Sequence, residues 1–257
     1  MSADGARGDG NGVDPLLAAR LKSRQNLPKR FYKAATIGRH DDVPHVLLLD
    51  GRPARTPAKR LIAFDNPVIG ELVAGEWNAQ GETINPATMP ATRLANTSID
   101  GMTEAANAVR DEIAAYAGSD LICYRAETPD QLTGLQGAAW DPLLGRARDW
   151  GMPLQAAAGV MHVGQDASSL ARARVMLEPI EGMALAAMHV ATTLTGSFVI
   201  AMALWRGELA PDAAWQAAHI DEDWQVSLWG EDAEAAARRA YRHAEFIAAV
   251  EIILASR

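Results

Sequence analysis

The chain has 257 residues, 49% of them hydrophobic and 22% charged, with a formal net charge of -8. That is the composition of a globular protein, long enough for one large domain or a small one beside a larger one. Its acidic balance excludes the basic footprint that nucleic acid requires.

The charge is unevenly spread. Residues 1–65 hold 12 Lys/Arg against 7 Asp/Glu, and the remainder holds 12 Arg, no Lys and 25 Asp/Glu. The long C-terminal part therefore attracts a basic partner surface. Cys123 is the one cysteine, so no internal disulfide can form, as befits a reducing compartment. Between Ile122 and Tyr124 it reads as a small core residue rather than a nucleophile.

Residues 1–12 are rich in Gly, Asp and Ala and lack an apolar run. They match neither a secretory signal nor a transit peptide. Residues 13–27 form a weak helix, and residues 1–27 together are expected to be a flexible tail. Residues 30–39 (RFYKAATIGR) and 43–50 (VPHVLLLD) read as strands, and Asp50-Gly51 is a hairpin signal. Residues 52–64 would be the returning strand, confined by its prolines to a sheet edge. A small antiparallel β domain over residues 28–66 results, too poor in apolar residues to stand alone.

A larger multihelical domain over residues 67–257 follows, so the fold class is α+β. Asn66-Pro67 supplies an N-cap and first-turn proline for a helix running through Ile69, Leu72, Val73 and Trp77 to Gly81. Pro86 and Pro90 interrupt the next stretch, and a helical pattern resumes over residues 92–117. Residues 121–126 are short and β-like, a candidate to rejoin the sheet. Helical patterns then occupy residues 132–151, 168–178 and 231–256, with a glycine-containing connector at 155–163.

Residues 183–205 carry no Asp, Glu, Lys or Arg and are long enough to cross a bilayer. They also contain His189, three threonines and Thr195-Gly196-Ser197, which can bend or split a helix, and no basic cluster flanks them. A fully buried central helix is expected, not membrane insertion.

Residues 211–232 (PDAAWQAAHIDEDWQVSLWGED) read as one helix, with Pro211 in its first turn and Gly230 past its end. At about 100° per residue it has two apolar faces. One bears Trp215, Ala218, Val226 and Trp229; the other bears Ala213, Ala217, Ile220, Trp224 and Leu228. Glu222 sits amid the first face, flanked by Asp221 and Asp223. A carboxylate among tryptophans has either a buried partner within the fold or one on another molecule. From the residues alone, a core helix whose Glu222 meets an internal Arg or His is the plainer reading.

No P-loop, strand–GxGxxG–helix, G-x-S-x-G or H-E-x-x-H motif occurs. His219 and Asp223 are four apart, too little by itself for a metal site. Without family knowledge the residues indicate an acidic α+β protein, closer to a binding protein than to an enzyme. A small-molecule enzyme using His219, Asp221 and Glu222 as acid/base groups is the alternative. A deep polar pocket would favour the enzyme, and a broad shallow surface the binder.

Several stretches together resemble one known family: RFYK at 30–33, LLLDGRPARTPAK at 47–59, EWNAQGETINPATMPATRLANTSID at 76–100, DLICYRAE at 120–127, WDPLL at 140–144, LTGSFVIAMAL at 194–204 and DEDWQVSLWGEDAEAA at 221–236. They are similar to the assembly chaperone of the F-type ATP synthase that escorts the free alpha subunit, found in mitochondria and alphaproteobacteria. The resemblance covers nearly everything from Pro28 onward.

It implies an ATP-independent, non-enzymatic chaperone without cofactor or metal. The chaperone would act as a monomer and hide an aggregation-prone surface of the alpha subunit until the beta subunit replaces it. It also implies that a functionally sensitive acid lies just before the Trp-Gly. The matching positions here are Glu222 and Asp223, beside Asp221, with Gln225, Trp229 and Gly230 completing the motif. Eukaryotic members often have tyrosine where this chain has Trp224. The lack of a transit peptide points to bacterial cytoplasm.

Overall fold

The computed structural model describes residues 27–159, 161 and 163–257. The expected N-terminal tail and weak helix lie, but for Leu27, outside the described residues.

Strands β1 (Ala35–His40), β2 (Val43–Leu49) and β3 (Arg52–Pro53) form an antiparallel sheet in that order. Ile37 pairs with Leu47 and Leu49 with Arg52, and the register slips between Gly38 and His40. Asp50 and Gly51 both have positive φ, 49° and 79°. That is the primed turn whose twist matches a two-residue hairpin. The Asp50 carboxylate accepts from the backbone N–H groups of Lys33 and Ala34. Those bonds hold its pKa below the usual value.

The returning strand is shorter than the sequence suggests. After Pro53 the chain touches the sheet only through isolated bridges, Val46 to Ala63 and Arg55 to Leu61. Proline cannot donate to a ladder. The return nonetheless covers the second face of β2, so both Val46 and Leu47 are fully buried.

Helix α1 (Pro67–Asn78) starts as expected, with the Asn66 side chain accepting from Val68 N–H at 2.8 Å. It ends at Asn78, short of Gly81, and its last residue bonds out to the sheet. The Asn78 amide donates to Ala35 O and accepts from Ala35 N–H, each at 2.8 Å. Glu76, on the same helix, reaches forward to α2 (Pro90–Thr97). Its carboxylate accepts from the N–H groups of Ala91 and Thr92 and from the Thr92 hydroxyl, each at 2.7 Å. A carboxylate at a helix N-terminus satisfies donors that have no partner inside the helix.

A single wide turn over Ser98–Met102 joins α2 to α3 (Thr103–Ala115). Asp100 in that turn accepts from Thr56 Oγ1 at 2.6 Å, tying the β return to the helices. One buried cluster runs without interruption from Tyr32 to Ile253, so sheet and helices share a core.

The short strand β4 (Tyr124–Arg125) does not rejoin the first sheet. It pairs in parallel with β5 (Ala157–Ala158), because the connector after α4 (Asp130–Asp149) passes beside it. Helix α5 (Ala167–Met176) follows.

The charge-free run forms two helices rather than one, α6 (Gly182–Thr195) and α7 (Phe198–Trp205). Gly196, at φ 65°, ends α6 in the left-handed conformation that favours glycine. Ser197 caps α7 by accepting from Ile200 N–H at 3.0 Å. Fully buried Asp120 takes the next free donor, Val199 N–H, at 3.0 Å. Burial pushes the Asp120 pKa up to about 6. Phe198 to Leu204 are all buried. Among the described residues no helix is long and apolar enough to cross a membrane.

Candidate functional site

The segment 211–232 is not one helix. Helix α8 (Pro211–Ala218) stops at His219, whose backbone at φ −123°, ψ 19° is not helical. Helix α9 (Ile220–Trp229) then begins and ends at Gly230. Helix α10 (Ala233–Ala255), with Asp232 as N-cap, closes the chain. The break has a tertiary cause. His219 is buried with its ring stacked on Trp215, centroids 3.8 Å apart, and its Nδ1 lies 2.8 Å from Trp215 O. Trp215 also meets His243 and Phe246.

The break divides the expected tryptophan face. Trp215 belongs to the core, whereas Trp229 is 82% exposed. Helix α9 buries none of its residues. Its C-terminal half presents Val226, Leu228 (54% exposed) and Trp229 to solvent.

The acids of its first turn point to three different neighbours. Asp221 accepts from Gln136 Nε2 of α4 at 2.6 Å. Asp223 pairs with Arg239 of α10 at 2.5 Å. The Glu222 side chain, 41% exposed, lies 3.9 Å from His219 Nε2 and forms no salt bridge to Lys or Arg. Gln225 is exposed. The structure thus brings Asp221, Glu222, Asp223, Gln225 and Trp229 together on one short outer helix. Glu222 is half-buried rather than interior; of the internal Arg or His that the residues alone suggested, its neighbour is buried His219.

His219, Asp221 and Glu222 do not converge on a cleft. His219 Nδ1 faces a carbonyl and so must carry the ring proton. That leaves Nε2 with a lone pair, buried and without a hydrogen-bond partner. A lone pair and a carboxylate repel, so the pair at 3.9 Å is not an acid–base dyad. Burial also lowers the His219 pKa and keeps the ring neutral. Cys123 is buried too, with its thiol pushed up to about 12. Among the described residues no cluster of His, Cys, Asp or Glu could hold a metal.

The second face of the segment survives the break. Ala213, Ala217, Ile220 and Trp224 form one wall of a groove of about 620 Å³, and Leu135, Ala139 and Leu143 of α4 form the other. The groove is apolar and open. The α4 wall escaped the sequence reading because Leu135 and Ile220 lie far apart in the chain. Exposed Leu135 was its only local trace.

Comparison with known proteins agrees with this architecture. The family model described as ATP12 chaperone protein matches residues 29–148. A protein from Agrobacterium tumefaciens is 40% identical with a TM-score of 0.85, over 96% of this chain and 93% of its own. Atp12 from Paracoccus denitrificans is 33% identical with a TM-score of 0.81, over 90% of this chain and 99% of its own. A single-substitution mutant of that protein matches to the same degree. The family model stops before α8, whereas these solved structures extend over most of the chain. With such identity sustained over nearly the whole of each relative, the chain belongs to the ATP12 chaperone family.

Proposed function

We propose that this chain is an assembly chaperone of the F-type ATP synthase that binds the free alpha subunit and keeps it from aggregating. It works without ATP and catalyses no reaction, as a monomer in the bacterial cytoplasm, and it gives way when the beta subunit arrives. The observation that carries the reading is α9. This helix has no fully buried residue, exposes Trp229 and Leu228, and carries three carboxylates in its first turn. Exposed Trp229 stands with exposed Val226 and Leu228 as an apolar patch rather than a lone residue, and aromatic anchors ringed by charge are the usual energetic centres of interfaces. The carboxylates, Glu222 foremost, would meet basic residues of the client and set register and encounter rate. Family membership supports the same reading.

The test is co-expression with the alpha subunit of the same organism, with and without beta. Alpha that stays soluble, elutes with this chain and is released by beta supports the proposal. Alpha that aggregates beside a folded chain refutes it.

A further inference from the structure

We propose that the groove between α4 and α8–α9 receives an amphipathic helix of the client, about three turns long, with an apolar stripe and basic flanks. The inference rests on the chaperone reading and assigns the form of client segment that the site takes.

Shape is the first argument. The groove is walled on both sides by helices, with Leu135, Ala139 and Leu143 facing Ala213, Ile220 and Trp224. The wall residues lie on helices, and the carbonyl of Ala217 at the end of α8 is taken by the Trp140 indole, so among the described residues the groove offers no strand edge to pair with an extended segment. An extended client would bring unpaired N–H and C=O groups onto an apolar floor, at the usual penalty for lost hydrogen bonds. A helix brings its backbone already paired and offers side chains at i, i+3/i+4 and i+7. Along α4 the floor runs from Leu135 to Arg146, about 16 Å at 1.5 Å per residue, or three turns.

Charge is the second argument. The segment 211–232 holds six carboxylates and neither Lys nor Arg. Helix α4 holds three carboxylates and two arginines. Arg146, at the groove end, is engaged by the backbone carbonyl of Glu208. Among the described residues Asp212, Glu222 and Glu231 form no salt bridge to Lys or Arg. The groove lining itself carries Asp223, paired with Arg239, and Arg146. The segment that supplies one wall is net acidic and so favours a basic segment over an acidic one.

Continuity is the third. Within α9, Leu228 follows Ile220 and Trp224 at helical spacing and is exposed. The apolar floor thus leads on towards the exposed end of α9, where Trp229 stands.

The experiment uses the full chain and three labelled synthetic 14-residue peptides. One is an amphipathic Leu/Lys helix, one is its Leu/Glu charge reversal, and one is the Leu/Lys sequence broken by a central proline. Anisotropy titrations should rank the Leu/Lys helix at least tenfold tighter than either control. The same peptide should compete with the alpha subunit in the co-purification assay. Two variants report on the groove itself. Ala213→Trp fills it from an exposed position, and Leu135→Asp places a charge on its floor. Each should keep the circular dichroism of the parent and weaken both peptide and alpha binding at least tenfold. Equal binding of the two charge forms overturns the proposal. So does full capture of alpha by both variants, while leaving the chaperone reading standing. Failure of the unmodified chain to capture alpha, with Leu/Lys binding intact and groove-dependent, overturns the chaperone reading instead.

Discussion

The ring of His219 lies on that of Trp215, one helical turn earlier, and this contact is where α8 ends and α9 begins. On one side of it the chain is core; on the other it is surface. The stacked pair therefore acts as an anchor from which the candidate binding helix projects.

Replacing His219 by Ala should remove the stacking and the Nδ1 bond to Trp215 O. The expected cost is about 2 kcal/mol, from one buried ring contact and one buried hydrogen bond. Hydrogen exchange should accelerate in α9 before any other helix. The native ring is held neutral by burial, so its pKa is below that of the unfolded chain. The stability it contributes is present above the unfolded value of roughly 6.5 and is lost as pH falls. Urea titrations of parent and variant should converge as pH is lowered from 7 to 5.

Glu222→Lys should leave the fold intact. Its side chain is partly exposed and its nearest ionisable neighbour, His219, is a neutral imidazole. A stability change within about 1 kcal/mol is expected for such a surface site. Capture of the alpha subunit should fall at least tenfold in the co-purification assay. A globally unfolded variant would assign Glu222 to the fold instead.

Trp229→Ala gives the same separation through apolar area. Removing a side chain that is 82% exposed should leave thermal unfolding unchanged. If Trp229 is an interface anchor, its truncation costs about 2 kcal/mol of binding, or thirtyfold in Kd.

Glu76→Ala should behave in the opposite way. It deletes three hydrogen bonds that cap α2, at a cost of about 3 kcal/mol. Chemical denaturation would register that loss. Any loss of client binding should disappear under conditions where the variant is fully folded.

Asp120 predicts a pH signature. Burial raises its pKa from 3.8 to about 6, so the native state holds a proton that the unfolded chain has released. Its contribution is present below pH 3.8 and is lost as pH rises through 6. A shift of that size corresponds to about 3 kcal/mol. The difference in unfolding free energy between parent and Asp120→Asn, measured from pH 4 to 7, should change in that direction.

Local chemistry made much of this fold legible. Asp50-Gly51 announced the turn because its left-handed conformations are available to few residue pairs, and Asn66-Pro67 announced α1 because cap and first-turn proline act within three residues. Thr195-Gly196-Ser197 marked a break that the model realises as a helix end and a new cap. The break at His219 carried no such mark. Nothing in Ala218-His219-Ile220 disfavours a helix; the packing of His219 against Trp215 and the Trp140 indole on the Ala217 carbonyl stop it there. The pairing of β4 with β5 and the reach of Asp120 to Val199 depend on segments tens of residues apart. The candidate site was half visible for the same reason. The acids and tryptophans of α9 stand together in the sequence, and the face of Ala213, Ala217, Ile220 and Trp224 was legible from its spacing. The opposing wall on α4 was not.

A helix end with no buried residue, as over residues 225–229, can change without disturbing what holds the rest together. Substitutions in the exposed C-terminal half of α9 are nearly free of folding consequences, while those in α6 and α7 are not. Drift in the client's surface can therefore be followed by compensating changes on this one segment. The same property makes the end of α9 a cassette: grafting residues 225–229 of a relative onto this scaffold should transfer that relative's preference for its own client while leaving the melting temperature where it was.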